Sequence, residues 1–221
     1  MKRSIGWLMA LAMVAGCKGG GSTATDASTP GTKAPAVSAD MKTATLKDGS
    51  ATITVPKDYT DLISQNPAAR SSLDEAAKKQ PWMATAVEMS KNEMFQYMGM
   101  DVRPESHIRG FSENINVVVT AGVAGEPKKE DLEAGAKDIA TQFKTSANVK
   151  SEVVTLSTGP AIHYSCTMDV PNPSTPTKCD LIGYALPRKG KIYTITYSMP
   201  SGNGATTEAR AKEIAESLTI K

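Results

Sequence analysis

Four β-rich runs follow one another between residues 149 and 198, and they constrain the fold more than any other feature of the chain. They are Val149 to Ser157, Ala161 to Met168, Cys179 to Leu186 and Lys191 to Ser198. β-Branched and aromatic residues dominate them, which suits a pleated, half-buried surface. Arg188-Lys189-Gly190 turns the last two, and so short a turn joins antiparallel neighbours only. The four runs therefore predict an antiparallel meander. The longer connection between Met168 and Cys179 carries Pro171, Pro173 and Pro176 and reads as a loop.

Helical stripes flank this meander. Leu132, Ala136, Ile139, Ala140 and Phe143 recur at one-face spacing, and Glu130 and Asp131 stand at the positive end of that helix's dipole. Ala211, Ile214, Ala215 and Leu218 mark a closing helix. Upstream, Thr45 to Lys47 and Ala51 to Val55 read as a hairpin joined through Asp48-Gly49, ended by Pro56 to Tyr59. Ser72 with Glu75 predicts a capping box for a helix reaching Gln80. Pro81 opens a second short helix with Trp82, Ala86 and Met89 on one stripe. A strand from Met94 to Met100 and another from Ile115 to Thr120 complete the pattern.

The first 40 residues are of another kind. Lys2 and Arg3 precede an apolar run from Ile5 to Ala15 that is too short to span a bilayer. Val14-Ala15-Gly16-Cys17 then resembles the bacterial lipobox, and the resemblance implies cleavage after residue 16 and a diacylglyceryl group on Cys17. Two or more acyl chains, at about 0.8 kcal/mol per buried CH2, hold a protein on a membrane. From Lys18 to Asp40 the chain is Gly, Ser, Thr, Ala, Pro and Lys with little apolar surface, so it is expected as a flexible tether. Roughly 23 residues span about 25–30 Å in such a state. The expected organisation is a leader over 1–16, a lipidated tether over 17–40 and a folded domain over 41–221. Lys18 in place of an aspartate after the lipid-bearing cysteine favours the outer membrane over the inner.

Charge narrows the partners. The chain has 25 basic and 23 acidic residues, and removing Lys2 and Arg3 with the leader leaves a neutral protein. Neutrality gives no electrostatic reason to expect nucleic acid. Outside the cytoplasm, Cys166 and Cys179 are the remaining cysteine pair, and a disulfide clamping the Pro-rich loop is expected; free or redox-active thiols are the alternative. Closing a loop of roughly 14 residues is worth about 3 kcal/mol in the chain-entropy model.

Several local patterns carry a family resemblance. Ala51-Thr52-Ile53-Thr54-Val55-Pro56-Lys57-Asp58-Tyr59 is a strand followed by a P-x-D-aromatic opening; Phe111 to Val119 and the closing Ala215-Glu216-Ser217-Leu218 are the others. With the element order, they make residues 41–221 resemble the PsbP-like fold, seen also in DcrB-type and LpqN-type envelope lipoproteins. The stretch from Asn66 to Glu93 departs from a compact version of that fold. The resemblance implies an α+β, three-layer α/β/α sandwich with a mainly antiparallel sheet. It also implies an accessory or binding role without a shared catalytic set, so no functional residue is carried over.

Candidate chemistry is sparse. Met83, Met89, Met94, Met98 and Met100 cluster in sequence, with His107 close behind. Thioethers with a histidine suit a soft metal such as Cu(I), and a strand would put Met94, Met98 and Met100 on one face with Phe95 and Tyr97 on the other. Core packing predicts the same pattern. Two scattered histidines do not supply a zinc shell. No G-x-S-x-G accompanies His107 or His163, and His163 between Ile162 and Tyr164 reads as a sheet residue. Gly19-Gly20-Gly21 lies in the tether rather than after a strand, and Lys128-Lys129 reads as a solvated helix start. The expectation is a membrane-anchored, non-enzymatic envelope lipoprotein without a cofactor, which binds an envelope protein or assists assembly. The alternative is a small-ligand or copper-binding lipoprotein using residues 83–107.

Overall fold

The computed structural model describes residues 40–221, apart from 65, 80, 104–105, 107–110, 123–124, 126, 171–176 and 203. The leader, Cys17 and the tether up to residue 39 lie outside the described residues, as do His107 and the prolines of the 171–176 connection.

The predicted meander is present as β6 (Ala147–Leu156), β7 (Gly159–Val170), β8 (Thr177–Arg188) and β9 (Lys191–Pro200), each antiparallel to the next. Arg188 faces Lys191 across a two-residue turn in which Lys189 and Gly190 both take positive φ, 47° and 73°. That backbone matches the right-handed twist of the flanking strands, which is why a glycine closes it. Leu156 faces Gly159 across a second two-residue turn.

β9 is also paired with β5 (Asn114–Ala121), and β5 with β4 (Phe95–Asp101) and then the short β3 (Tyr59–Asp61). The large sheet therefore runs β3-β4-β5-β9-β8-β7-β6, seven strands and antiparallel throughout. A smaller sheet pairs β1 (Met41–Thr45), β2 (Ala51–Pro56) and β10 (Thr219–Ile220), also antiparallel.

Alternation along the strands decides what covers each face. Ile115 and Val117 of β5, Ile182, Tyr184 and Leu186 of β8 and Tyr193, Ile195, Tyr197 and Met199 of β9 point one way. They meet Ile53 and Val55 of β2 and Ala211, Ile214 and Ala215 of α4 (Gly204–Glu216). The opposite face is covered at one end by α3 (Lys129–Gln142), whose Leu132, Ala136 and Ile139 meet Ile162, Tyr164, Cys166, Leu181 and Ala185. Toward the other end, Leu73 of α1 (Pro67–Lys79) and Met83 and Ala86 of α2 (Pro81–Ser90) meet Phe95, Met98, Met100 and Val118. The α+β, three-layer arrangement is as expected, with one addition: the layer over the first face is a small sheet beside a helix, not helices alone.

Three local readings are corrected. Helix α1 starts at Pro67, where Asn66 Oδ1 accepts the Ala68 amide at 3.0 Å, so Ser72 sits inside the helix instead of capping it. Asparagine before a first-turn proline is the stronger start signal. The strand expected over residues 94–100 starts at Phe95, leaving Met94 outside it. Its register shifts between Phe95 and Tyr97, so Phe95 joins Met98 and Met100 instead of Tyr97. A one-residue bulge reverses the alternation that a straight strand would keep.

Candidate functional site

The methionines expected as a soft-metal set are divided by the fold. Met98 and Met100 are buried with Met83 among Leu62, Leu73, Ala86 and Phe95, where their thioethers fill hydrocarbon space. Met94 does not join them; it is 44% exposed. Among the described residues no three His, Cys, Asp or Glu side chains converge as a metal site, and no helix is long and apolar enough to cross a membrane.

Cys166 and Cys179 stand on neighbouring strands as expected, yet both are free thiols here. The register explains why. Cys166 faces Leu181 and Cys179 faces Met168, so the cysteines are diagonal rather than opposed. Diagonal positions have Cα atoms about 7–8 Å apart, beyond the roughly 7 Å that a disulfide spans without backbone movement. Burial pushes each thiol up to about 11, which keeps both protonated and weakly nucleophilic at neutral pH.

Two polar clusters inside the fold were not legible as sites. The first joins three distant segments: Tyr59 of β3, Tyr197 of β9 and Glu113 just before β5. Both phenol hydroxyls donate to Glu113 Oε2, each at 2.9 Å, and lie 3.4 Å from one another. Burial, with the neighbouring carboxylate, pushes both phenols above their ordinary value, so they stay protonated donors. Beside them the buried Asp101 offsets its desolvation by accepting from Arg103 Nε at 2.9 Å and Nη2 at 2.6 Å, which holds its carboxyl below the usual value. Arg103 Nη2 also lies 2.8 Å from Asp58 Oδ2.

The second cluster lies between the sheet and α4. His163 of β7 is buried against Tyr184 of β8, ring centroids 4.9 Å apart. Its Nε2 approaches Glu208 Oε1 of α4 to 2.8 Å, off the direction of a true hydrogen bond, while Nδ1 is 3.7 Å from Glu152 Oε1 of β6. Tyr184 donates to the same Glu208 oxygen at 3.1 Å. These contacts stitch α4 to the sheet; no serine, threonine or cysteine nucleophile is bonded to the histidine among the described residues.

A polar stripe runs under the helices. Thr194, Thr196 and Ser198 of β9 and Asn114 of β5 are buried on the face that carries α3. Tyr164 reaches across β8 to this stripe, its hydroxyl 2.9 Å from Thr196 Oγ1. It crosses above Gly183, where a Cβ would lie 2.1 Å from the tyrosine Cζ, and Phe143 stacks on its ring at 5.8 Å.

At the margin of the large sheet, β6 has β7 on one side and no strand on the other among the described residues. Residues 147–155 are exposed or half-buried. Their outward amides and carbonyls form the longest open hydrogen-bonding edge of this sheet, since the opposite margin, β3, has three residues.

No family model and no curated protein matches the chain. Among solved structures it is similar to cyanobacterial PsbP (CyanoP) from Synechocystis sp. PCC 6803. Identity is 10%, coverage is 86% of this chain and 98% of that one, and the TM-score is 0.47. A structure from Bacteroides thetaiotaomicron is 10% identical over 82% of this chain and 49% of that one, so this chain spans about half of that protein's length, with TM-score 0.47. The Ran-binding protein Mog1p of Saccharomyces cerevisiae is 13% identical over 83% and 96%, TM-score 0.45. No residue role is carried over from any of the three.

Proposed function

We propose that this protein is a bacterial envelope lipoprotein whose domain acts as a non-enzymatic binding or assembly-accessory module, held on the membrane through Cys17. The observation that carries the binding role is that the titratable clusters are closed on themselves. Glu113 is occupied by two tyrosines, and His163 is enclosed by Tyr184, Glu152 and Glu208. Groups committed in this way hold strands and helix in register, and the raised phenols and thiols are poor bases and nucleophiles at neutral pH. What the domain then offers is surface, neutral overall after loss of the leader. The leader and the lipobox-like residues before Cys17 support the anchor, and the composition of residues 18–40 supports a tether that lets the domain reach a protein partner.

Detergent phase partition of the protein expressed with its own leader tests the anchor. The mature protein should enter the detergent phase and carry a diacylglyceryl mass on Cys17, and Cys17→Ser should stay uncleaved. A mature wild-type protein that remains aqueous with an unmodified Cys17 would remove the anchor from this account.

A further inference from the structure

The sequence of the open edge strand is complementary to its own reverse. Residues 149–153 read Val-Lys-Ser-Glu-Val. We propose that β6 is a self-association edge, on which a second copy of this chain adds its own β6 antiparallel, about a two-fold axis at Ser151. The two seven-stranded sheets then continue into one of fourteen strands. This inference does not depend on membrane anchoring.

The register follows from hydrogen-bond geometry and charge. Opposed residues of an antiparallel pair must both turn their amide and carbonyl toward the partner, or both away. Two copies of one edge therefore pair only in registers centred on a residue. Centred on Ser151, Lys150 of each copy faces Glu152 of the other, and Val149 faces Val153, each relation occurring twice. Centred on Lys150, two lysines oppose each other; centred on Glu152, two glutamates do. Opposite charges across a strand pair are favourable and like charges unfavourable, so the Ser151 register is selected over its neighbours.

Burial agrees with that register. Lys150 and Glu152 are exposed on the face that carries α4, whereas Val149 and Val153 are half-buried and pack on the α3 cluster. Pairing would carry the apolar layer under α3 across the axis while the charged pairs remain at the solvent side. The shift in the β6–β7 register between Ala147 and Lys150, with Asn148 at φ 55°, twists the strand at its start and bounds the new ladder there. A bulge and a lysine also blunt edges against unrelated strands. Here the charge pattern excludes most partners yet admits an identical one. An interface with closed two-fold symmetry contributes the same patch from each side, as this one does.

Sedimentation equilibrium of the chain from residue 17 with Cys17→Ser, at concentrations up to about 200 μM and at low and high salt, reads the association. The wild-type sequence should dimerise, more weakly at high salt. Lys150→Glu sets two glutamate pairs face to face and should weaken the dimer about 10-fold or more. Lys150→Glu with Glu152→Lys restores opposite charges in reversed order and should return the affinity to within about 3-fold of wild type. A monomer at every concentration overturns the proposal, as does a Lys150→Glu dimer of unchanged affinity or a double variant no better than the single one.

Discussion

Replacing Gly183 by alanine tests how Tyr164 ties the α3 cluster to the polar stripe beneath it. A Cβ at residue 183 would lie 2.1 Å from Tyr164 Cζ and 2.3 Å from its hydroxyl oxygen, closer than any real contact, so the ring must leave. Leaving exposes a side chain that is 1% accessible, about 2–3 kcal/mol of burial. It breaks the Tyr164–Thr196 hydrogen bond, about 1 kcal/mol, and the stack on Phe143, about another 1 kcal/mol. Reduced freedom of the unfolded chain returns less than about 1 kcal/mol. Gly183→Ala should therefore destabilise the domain by about 3–5 kcal/mol in equilibrium urea unfolding at pH 7. Tyr164→Phe keeps the ring and should lose only about 1–2 kcal/mol. In a Tyr164→Ala background the three atoms nearest the new methyl are gone, and adding Gly183→Ala should cost under about 1 kcal/mol more. A Gly183→Ala protein within about 0.5 kcal/mol of wild type, or strict additivity in the double variant, would refute the crossing of Tyr164 over β8.

Removing the shared acceptor of the tyrosine pair by Glu113→Ala should cost about 2–4 kcal/mol in the same assay, because two buried hydroxyls lose their partner. Made in a Tyr59→Phe/Tyr197→Phe background, where no donor remains to be orphaned, it should cost about 1 kcal/mol or less; an equal cost in both backgrounds contradicts the shared-acceptor geometry. Alkaline pH should destabilise the fold. The buried cysteines rise from 9.0 to about 11 and the tyrosines above 10.0, so the folded state favours the neutral forms. That contribution is complete below pH 9 and is lost as pH climbs through 9 to 11, where thiolate and then phenolate are held better by the unfolded chain. Urea midpoints measured from pH 7 to 11 should fall over that window, and a flat profile contradicts the burial. Asn66→Ala should cost about 1 kcal/mol and Ser72→Ala about 0.5 kcal/mol or less, as thermal unfolding would read; the reverse order would restore Ser72 as the cap.

The strands and helices that were legible are those whose burial is periodic along a long element. The meander from β6 to β9 and the stripes of α3 and α4 repeat the same signal several times. β3 and β10, three and two residues long, are too short to show any period, and pairing alone makes them strands. The bulge at Gln96 left no mark in the sequence, and it reversed which face Phe95 occupies. Cys166 and Cys179 were recognisable as strand neighbours, but a register shift of two residues decides between opposed and diagonal, and composition does not encode it. Tyr59, Glu113 and Tyr197 meet across 138 positions of chain, and only the order of strands brings them together. A faint signal existed on β9, where Tyr193, Ile195 and Tyr197 alternate with Thr194, Thr196 and Ser198. That alternation of aromatic and hydroxyl residues announces two differently furnished faces without saying what covers either.

Cross-linking in intact cells followed by mass spectrometry tests the proposal that the tethered domain binds a protein of the envelope. Two baits are compared: the full chain, and residues 1–40 fused to an unrelated domain of similar size. At least one envelope protein should be cross-linked to the full chain through side chains within residues 41–221 and be absent from the tether control. Identical sets of abundant neighbours from both baits would contradict it.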